Sequence, residues 1–227
     1  SRPGSEELAW LVVENARESL VCQRGPDAAP RRIAENTYIL SPHFAPDHLC
    51  WVERIGADWR MRGLPSGGEA GDVFDLADVQ GRPLSISSCS GADRTWLVWE
   101  ERRGKRTRVR VCGVSGNRFC EASDVVDGRF NAYDPVCTFG ADGLLYVLFC
   151  AFRWGNYHVL LQKVDPSGRT VGAPIRISDA GGPCFYPSVA SDPAGGIWFS
   201  SMQVSSGVGD WLISTHHVPV EFRMKFS

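Results

Sequence analysis

The chain has 227 residues, with 24 Lys plus Arg set against 26 Asp plus Glu and a formal net charge of −2. That balance excludes a general polyanion binder, whose domains are strongly basic. Hydrophobic residues make up 43% of the chain, enough for a sizeable core, and no apolar run reaches the ~18 residues of a membrane-spanning helix.

Ser1 to Glu7 holds no apolar segment of the secretory-leader type, so such a leader is expected to be absent or removed. The 8 cysteines include no C-x-x-C pair and no cysteine–histidine group at zinc spacing, so neither a metal nor a cofactor is implied. Most of them lie inside apolar runs such as Leu49-Cys50-Trp51-Val52, and they are expected to be buried free thiols. Thiols of that kind point to a reducing, cytoplasm-like compartment.

Taken in chain order, one block recurs: an apolar strand, a short polar or glycine turn, then a second strand. It appears as Leu8–Val13 with Ser19–Cys22, then Leu49–Val52 with Trp59–Arg62, then Trp96–Trp99 with Val109–Cys112. Leu144–Phe149 with Tyr157–Leu161 and Ile197–Phe199 with Trp211–Ser214 complete the series. Successive copies begin roughly 40 to 53 residues apart, the length of one four-stranded propeller blade.

Upstream of copies two to five stands a small-residue strand running into an Asp/Gly/Pro turn, as in Cys137-Thr138-Phe139-Gly140-Ala141-Asp142-Gly143. Aspartate and glycine tolerate the positive φ angles of tight turns. No segment sustains the spacing of an amphipathic helix. The expected fold is therefore all-β, a single β-propeller domain over residues 1–227 with about five four-stranded antiparallel blades. Their approximate bounds are 6–36, 37–84, 85–128, 129–181 and 182–227. The first copy lacks an upstream inner strand, and the C-terminal strand Val220–Phe226 is expected to return and complete it. Without that return, the chain would be a piece of a longer protein.

At these residues the chain resembles TolB-type (WD-repeat-like) propeller repeats, which read roughly S-P-x-x-S-P-D-G, strand, D/R-G-N-x turn, strand. Ser41-Pro42-His43-Phe44-Ala45-Pro46-Asp47 with Leu49–Glu53 and Gly56-Ala57-Asp58-Trp59 carries the likeness, as does Tyr133-Asp134-Pro135-Val136 through Arg153-Trp154-Gly155-Asn156-Tyr157. The resemblance implies a transport-associated scaffold or the propeller half of a prolyl-oligopeptidase-like enzyme. Sialidase-like propellers are a more distant likeness, because Ser191–Trp198 departs from the Asp-box spacing and lacks its threonine.

Nucleophile-elbow, H-E-x-x-H, Walker and G-x-G-x-x-G signatures are absent. Position then becomes the guide, since propeller loops converge at one end of the axis on a shared pocket. The ligand-binding candidates there are His43, Asn131, Tyr133, Asp134, Arg153, Trp154 and Tyr186. Tyr133-Asp134-Pro135 and Phe185-Tyr186-Pro187 occupy matching positions, and an aromatic beside a carboxylate suits a sugar or a peptide. Asp47, Asp93, Asp142 and Asp192 recur at turns and are read as turn formers. Arg106, Arg108 and Arg110 alternate along one strand face and are read as a solvated stripe balanced by Glu100 and Glu101.

The sequence thus points to a non-catalytic module that binds a protein, peptide or glycan, with nucleic acid not expected as a partner. The alternatives are a glycan-active hydrolase or lyase using carboxylates and tyrosines at the axis, or the accessory propeller of a larger enzyme.

Overall fold

Strands buried on both faces show continuous apolar runs instead of alternation, and the second strands of the three central sheets carry such runs. The computed structural model describes residues 7–36, 38–91, 93–117, 120–126, 128, 130–178, 182–192, 194–204 and 211–218. Among these residues it is all-β apart from one short 3-10 turn, Ala70–Asp72.

Five antiparallel sheets follow one another along the chain. Sheet 1 holds β1 (Glu7–Glu14), β2 (Arg17–Arg24) and β3 (Arg31–Asn36). Sheet 2 holds β4 (Ile39–Phe44), β5 (His48–Ile55), β6 (Asp58–Pro65) and β7 (Phe74–Ala77). Sheet 3 holds β8 (Arg82–Ser90), β9 (Thr95–Arg103), β10 (Arg106–Val114) and β11 (Ser123–Asp124). Sheet 4 holds β12 (Ala132–Phe139), β13 (Leu145–Arg153), β14 (Asn156–Val164) and β15 (Thr170–Arg176). Sheet 5 holds β16 (Cys184–Ser191), β17 (Ile197–Val204) and β18 (Trp211–Val218).

Three sheets have the expected four strands, while sheets 1 and 5 show three among the described residues. Among those residues β1 pairs with β2 alone. The expected closing strand, Val220–Phe226, lies outside the described residues.

Four apolar cores fill the spaces between consecutive sheets. Leu20, Ile33, Leu49 and Trp51 join sheets 1 and 2, and Cys50, Met61, Leu97 and Trp99 join sheets 2 and 3. Trp96, Val98, Val147 and Phe149 join sheets 3 and 4, and Leu148, Cys150, Cys184 and Phe199 join sheets 4 and 5. Odd residues of β9 face one neighbour and even residues the other, which is why both parities are apolar. Trp51, Trp99 and Phe149 are wholly buried, each on the second strand of its sheet. The inner strands β4, β8, β12 and β16 also pack on one another in that order.

The arginine stripe is solvated only at Arg106; Arg108 is half-buried and Arg110 buried, against the expectation. Arg110 and Glu101 are buried, with Arg108 Nη2 at 2.9 Å from Glu101 Oε1 and Arg110 Nε at 3.1 Å from Asp124 Oδ1. Glu101 points from β9 toward sheet 2, and folding it inward draws the arginines of β10 with it. The cysteine expectation also needs correction, for Cys112 and Cys120 form a disulfide while six cysteines are free. The segment after β10 folds back so that Cys120 meets β7 through Ala77, which brings its Cα to 6.1 Å from that of Cys112.

Two stability outcomes follow from this packing. Phe149→Ala is expected to lower the unfolding free energy by about 3–5 kcal/mol in chemical denaturation, through lost burial and the cavity left behind. Glu101→Gln, which strips Arg108 and Arg110 of a buried countercharge, is expected to lower it by about 3 kcal/mol.

Candidate functional site

Each inner strand is interrupted near its start. The register shifts between Leu40 and His43 in β4, Pro83 and Ile86 in β8, Tyr133 and Val136 in β12, and Phe185 and Ser188 in β16. In three of the four a non-glycine residue there takes positive φ: Ser41 at 51°, Asp134 at 49° and Tyr186 at 50°. Each stands before a proline. A left-handed conformation costs such residues about 1–3 kcal/mol, and a bulge re-aims the side chain it carries.

The bulge of β12 is held from the neighbouring sheet. The Asp134 backbone N–H donates to Glu100 Oε2 on β9 at 3.1 Å. Glu100 falls between Trp99, which pairs with Ile86, and Glu101, which pairs with Pro83. The matching slot of sheet 4 is filled by Cys150, which pairs with Tyr133 and directs its thiol to the Cys184 carbonyl at 3.8 Å. In both cases a side chain on the second strand of one sheet reaches the inner strand of the next. In sheet 3 that side chain is an ionisable one, 7% exposed.

Burial pushes the Glu100 carboxyl above the ordinary carboxylate range; the Asp134 N–H opposes this, while the Asp134 charge adds to it. Burial likewise raises the Asp134 carboxyl. Two residues with raised carboxyl proton affinity are thus linked across sheets 3 and 4 through the Asp134 backbone. The same desolvation, reinforced by the Asp134 charge, pushes the Cys150 thiol up to about 12.

Rings extend from this pair toward sheet 5. Tyr133 lies 6.4 Å from Tyr157, Tyr157 lies 5.1 Å from Phe152 and 4.9 Å from Phe185, and Phe185 lies 6.2 Å from Tyr186. Tyr186 is 61% exposed. The Tyr133 hydroxyl is raised by burial, against a hydrogen bond with Asn131. Asn131 in turn accepts the Thr107 N–H through Oδ1 at 3.0 Å.

Among the sequence candidates, Asn131, Tyr133, Asp134 and Tyr186 are therefore brought together, and Arg153, Trp154 and His43 are not. Arg153 belongs to the β13 parity that faces sheet 3, where its guanidinium lies 4.5 Å from the rings of both Phe130 and Trp154. It lines a separate cleft of about 430 Å³ between outer strands, with Gln162 and Pro174. Trp154, at φ 52° in the β13–β14 turn, lies over His158. His43 bonds Ser88 Oγ through Nε2 at 2.7 Å, and burial lowers its basicity.

Glu100 and Tyr157 were missed by the sequence reading. Glu100 was hidden by its arginine-rich surroundings. A signal existed, because the corresponding positions Val52 and Cys150 are buried and apolar. No group of three or more His, Cys, Asp or Glu among the described residues could hold a metal. No helix there is long and apolar enough to cross a membrane.

No family model and no curated protein matches the sequence. Among solved structures, an endo-arabinase from Bacteroides thetaiotaomicron is similar at TM-score 0.51 and 10% identity, over 95% of this chain and 94% of that one. An ACO/RPE65 chimera is similar at TM-score 0.53 and 12% identity, over 94% of this chain and 59% of that one. The fold is a β-propeller. The likeness carries no sign of TolB-type repeats in particular.

The raised Glu100 pKa has a defined consequence for stability. A carboxyl whose folded pKa exceeds its unfolded value favours the folded state below the unfolded pKa, and loses that contribution as pH rises through the folded pKa. Glu100→Gln removes the cost of burying the ionised form and keeps an acceptor for the Asp134 N–H. It is expected to raise Tm relative to the parent near pH 8, with the difference shrinking toward about pH 4, where both side chains are neutral. Thermal unfolding across that range checks it, and a difference independent of pH would contradict it.

Proposed function

We propose that this propeller hydrolyses glycosidic bonds, with Glu100 and Asp134 as its working carboxyls and the tyrosine-rich shelf as its sugar platform. The observation that supports the reading is the Glu100–Asp134 pair: two carboxyls raised by burial, with one accepting a hydrogen bond from the positive-φ backbone of the other. Glycoside hydrolysis requires a carboxylic acid to protonate the leaving oxygen and a carboxylate to attack, or to activate water.

Glu100, the more deeply buried, has its carboxyl raised by that burial and serves as the acid. Asp134, partly exposed on a re-aimed bulge, is the nucleophile or base. Their mutual repulsion disfavours the doubly ionised state, which sets the single-proton condition that the reaction needs. The rings of Tyr133, Tyr157 and Tyr186 offer apolar faces with polar edges, suited to the C–H faces and hydroxyls of a sugar. One protein of similar fold is named an endo-arabinase, so in that case the architecture carries glycan chemistry.

A binding role without turnover is the second reading, favoured by the exposure of Tyr186 within the shelf. The two are separated by assaying reducing-end release from a panel of plant and bacterial polysaccharides, beside binding on a glycan array. Asp134→Asn and Glu100→Gln are each expected to lower kcat by about 10²–10⁴-fold while leaving glycan retention intact. Tyr186→Ala is expected to raise KM with little change in kcat. Retention by the parent protein with no turnover on any polysaccharide would leave the binding role and remove the hydrolase.

A further inference from the structure

Arg153 and Trp154, which the carboxyl pair leaves unused, belong to a different feature. Arg153 lines a cleft of about 430 Å³ at the junction of sheets 3 and 4. One wall is the segment that follows β11, through Val125, Val126 and Phe130. The other comes from β14 and β15, through Gln162 and Pro174. The lining shares no residue with the Glu100–Asp134 pair or its tyrosine shelf.

Other arginines at this junction are already matched. Arg108 and Arg110 face Glu101 and Asp124, and Arg106 donates to the Gly128 carbonyl at 2.8 Å. Arg153 has neither an ion pair nor a side-chain hydrogen bond among the described residues. Its guanidinium lies instead 4.5 Å from the ring centres of both Phe130 and Trp154. Ring contact holds a guanidinium in place without consuming its N–H donors, and an arginine stays charged at any ordinary pH. The cleft is thus offered a held, half-buried positive charge, whose counterpart is a carboxylate or a phosphate. Asp124, which also lines the cleft, has its own carboxylate engaged by Arg108 and Arg110.

The second polar group of the cleft asks for the opposite partner. Gln162 is buried, and its amide nitrogen donates to the carbonyls of Lys163, Val171 and Gly172 at 3.0, 3.1 and 3.2 Å. Its donors are therefore committed, and Oε1 is the atom it can offer a ligand, an acceptor that needs a hydroxyl or an N–H. A ligand that satisfies both groups carries an anion and a donor, with an apolar face for Val125, Val126 and Pro174. Inorganic phosphate has no such face. A volume at the lower end of ligand sites suits one ring over an extended peptide.

We propose that this cleft binds a hexuronate, with the sugar carboxylate on Arg153 and a ring hydroxyl on Gln162 Oε1. The assignment rests on neither Glu100 nor Asp134 and requires no turnover, so it and the hydrolase reading fail separately.

Calorimetric titration of the full chain with D-galacturonate, its neutral methyl ester, inorganic phosphate and a triglutamate peptide tests it. Galacturonate is expected to bind, and the ester to bind roughly 10–100-fold more weakly, because the charged hydrogen bonds are missing. Arg153→Gln is expected to weaken galacturonate by that same factor and to leave the ester unchanged, a split that a general loss of structure would not produce. Trp154→Asn removes one flanking ring at an exposed turn position whose φ of 52° asparagine tolerates. It is expected to weaken galacturonate about 2–5-fold. The ester comparison uses the parent protein, so the charge requirement is read even where a variant fails to fold. No binding of galacturonate, equal binding of acid and ester, tighter binding of phosphate or triglutamate, or an unchanged affinity in Arg153→Gln would overturn the proposal.

Discussion

The structure depends on burying both faces of the second strand in the three central sheets. A single twisted sheet cannot exclude water from two faces, so sheets 2, 3 and 4 each take a neighbour on both sides. The large rings Trp51, Trp99 and Phe149 sit at equivalent positions and fill the same gap between successive sheets. The stacking order follows from this requirement, and stacking brings the inner strands into contact with one another.

Where inner strands approach each other, the chain inserts a bulge in each. The bulges spend conformational energy to re-aim a side chain near the strand start, and three of them place a non-glycine residue at positive φ before proline. Such strain persists when the surroundings over-determine it. Here part of that determination comes from across the seam, where Glu100 holds the Asp134 backbone. The same contact supplies backbone support and offsets part of the rise in proton affinity that burial gives Glu100.

Much of the architecture was legible in the sequence. All five hairpins were readable, because two-faced burial leaves runs such as Trp96–Trp99 and Leu145–Ala151 that no surface strand would carry. The aligned Tyr-Asp-Pro and Phe-Tyr-Pro triplets marked the inner-strand starts where Asp134 and Tyr186 take positive φ before a proline. What failed was facing. Arg153 and Tyr133 both end near the same loop, but strand parity sends them to opposite sides of sheet 4, and parity is fixed by a bulge that leaves no mark except a proline. The Arg108–Arg110 stripe misled for a related reason, because its alternation is that of a surface while its partner Glu101 is wholly buried. The Cys112–Cys120 bond depends on a loop folding onto β7, a long-range contact without a local signal.

The capping of one sheet's bulge by its neighbour bears on how separable the sheets are. Repeat proteins invite cutting and splicing because each unit contacts only the next one. In this propeller the junction, and not the unit, is the smallest self-supporting piece: sheet 4 contributes the Asp134 bulge, but a side chain of sheet 3 holds its backbone. A sheet 4 transplanted into another ring would bring its strands and its proline and leave behind the carboxylate that holds its bulge.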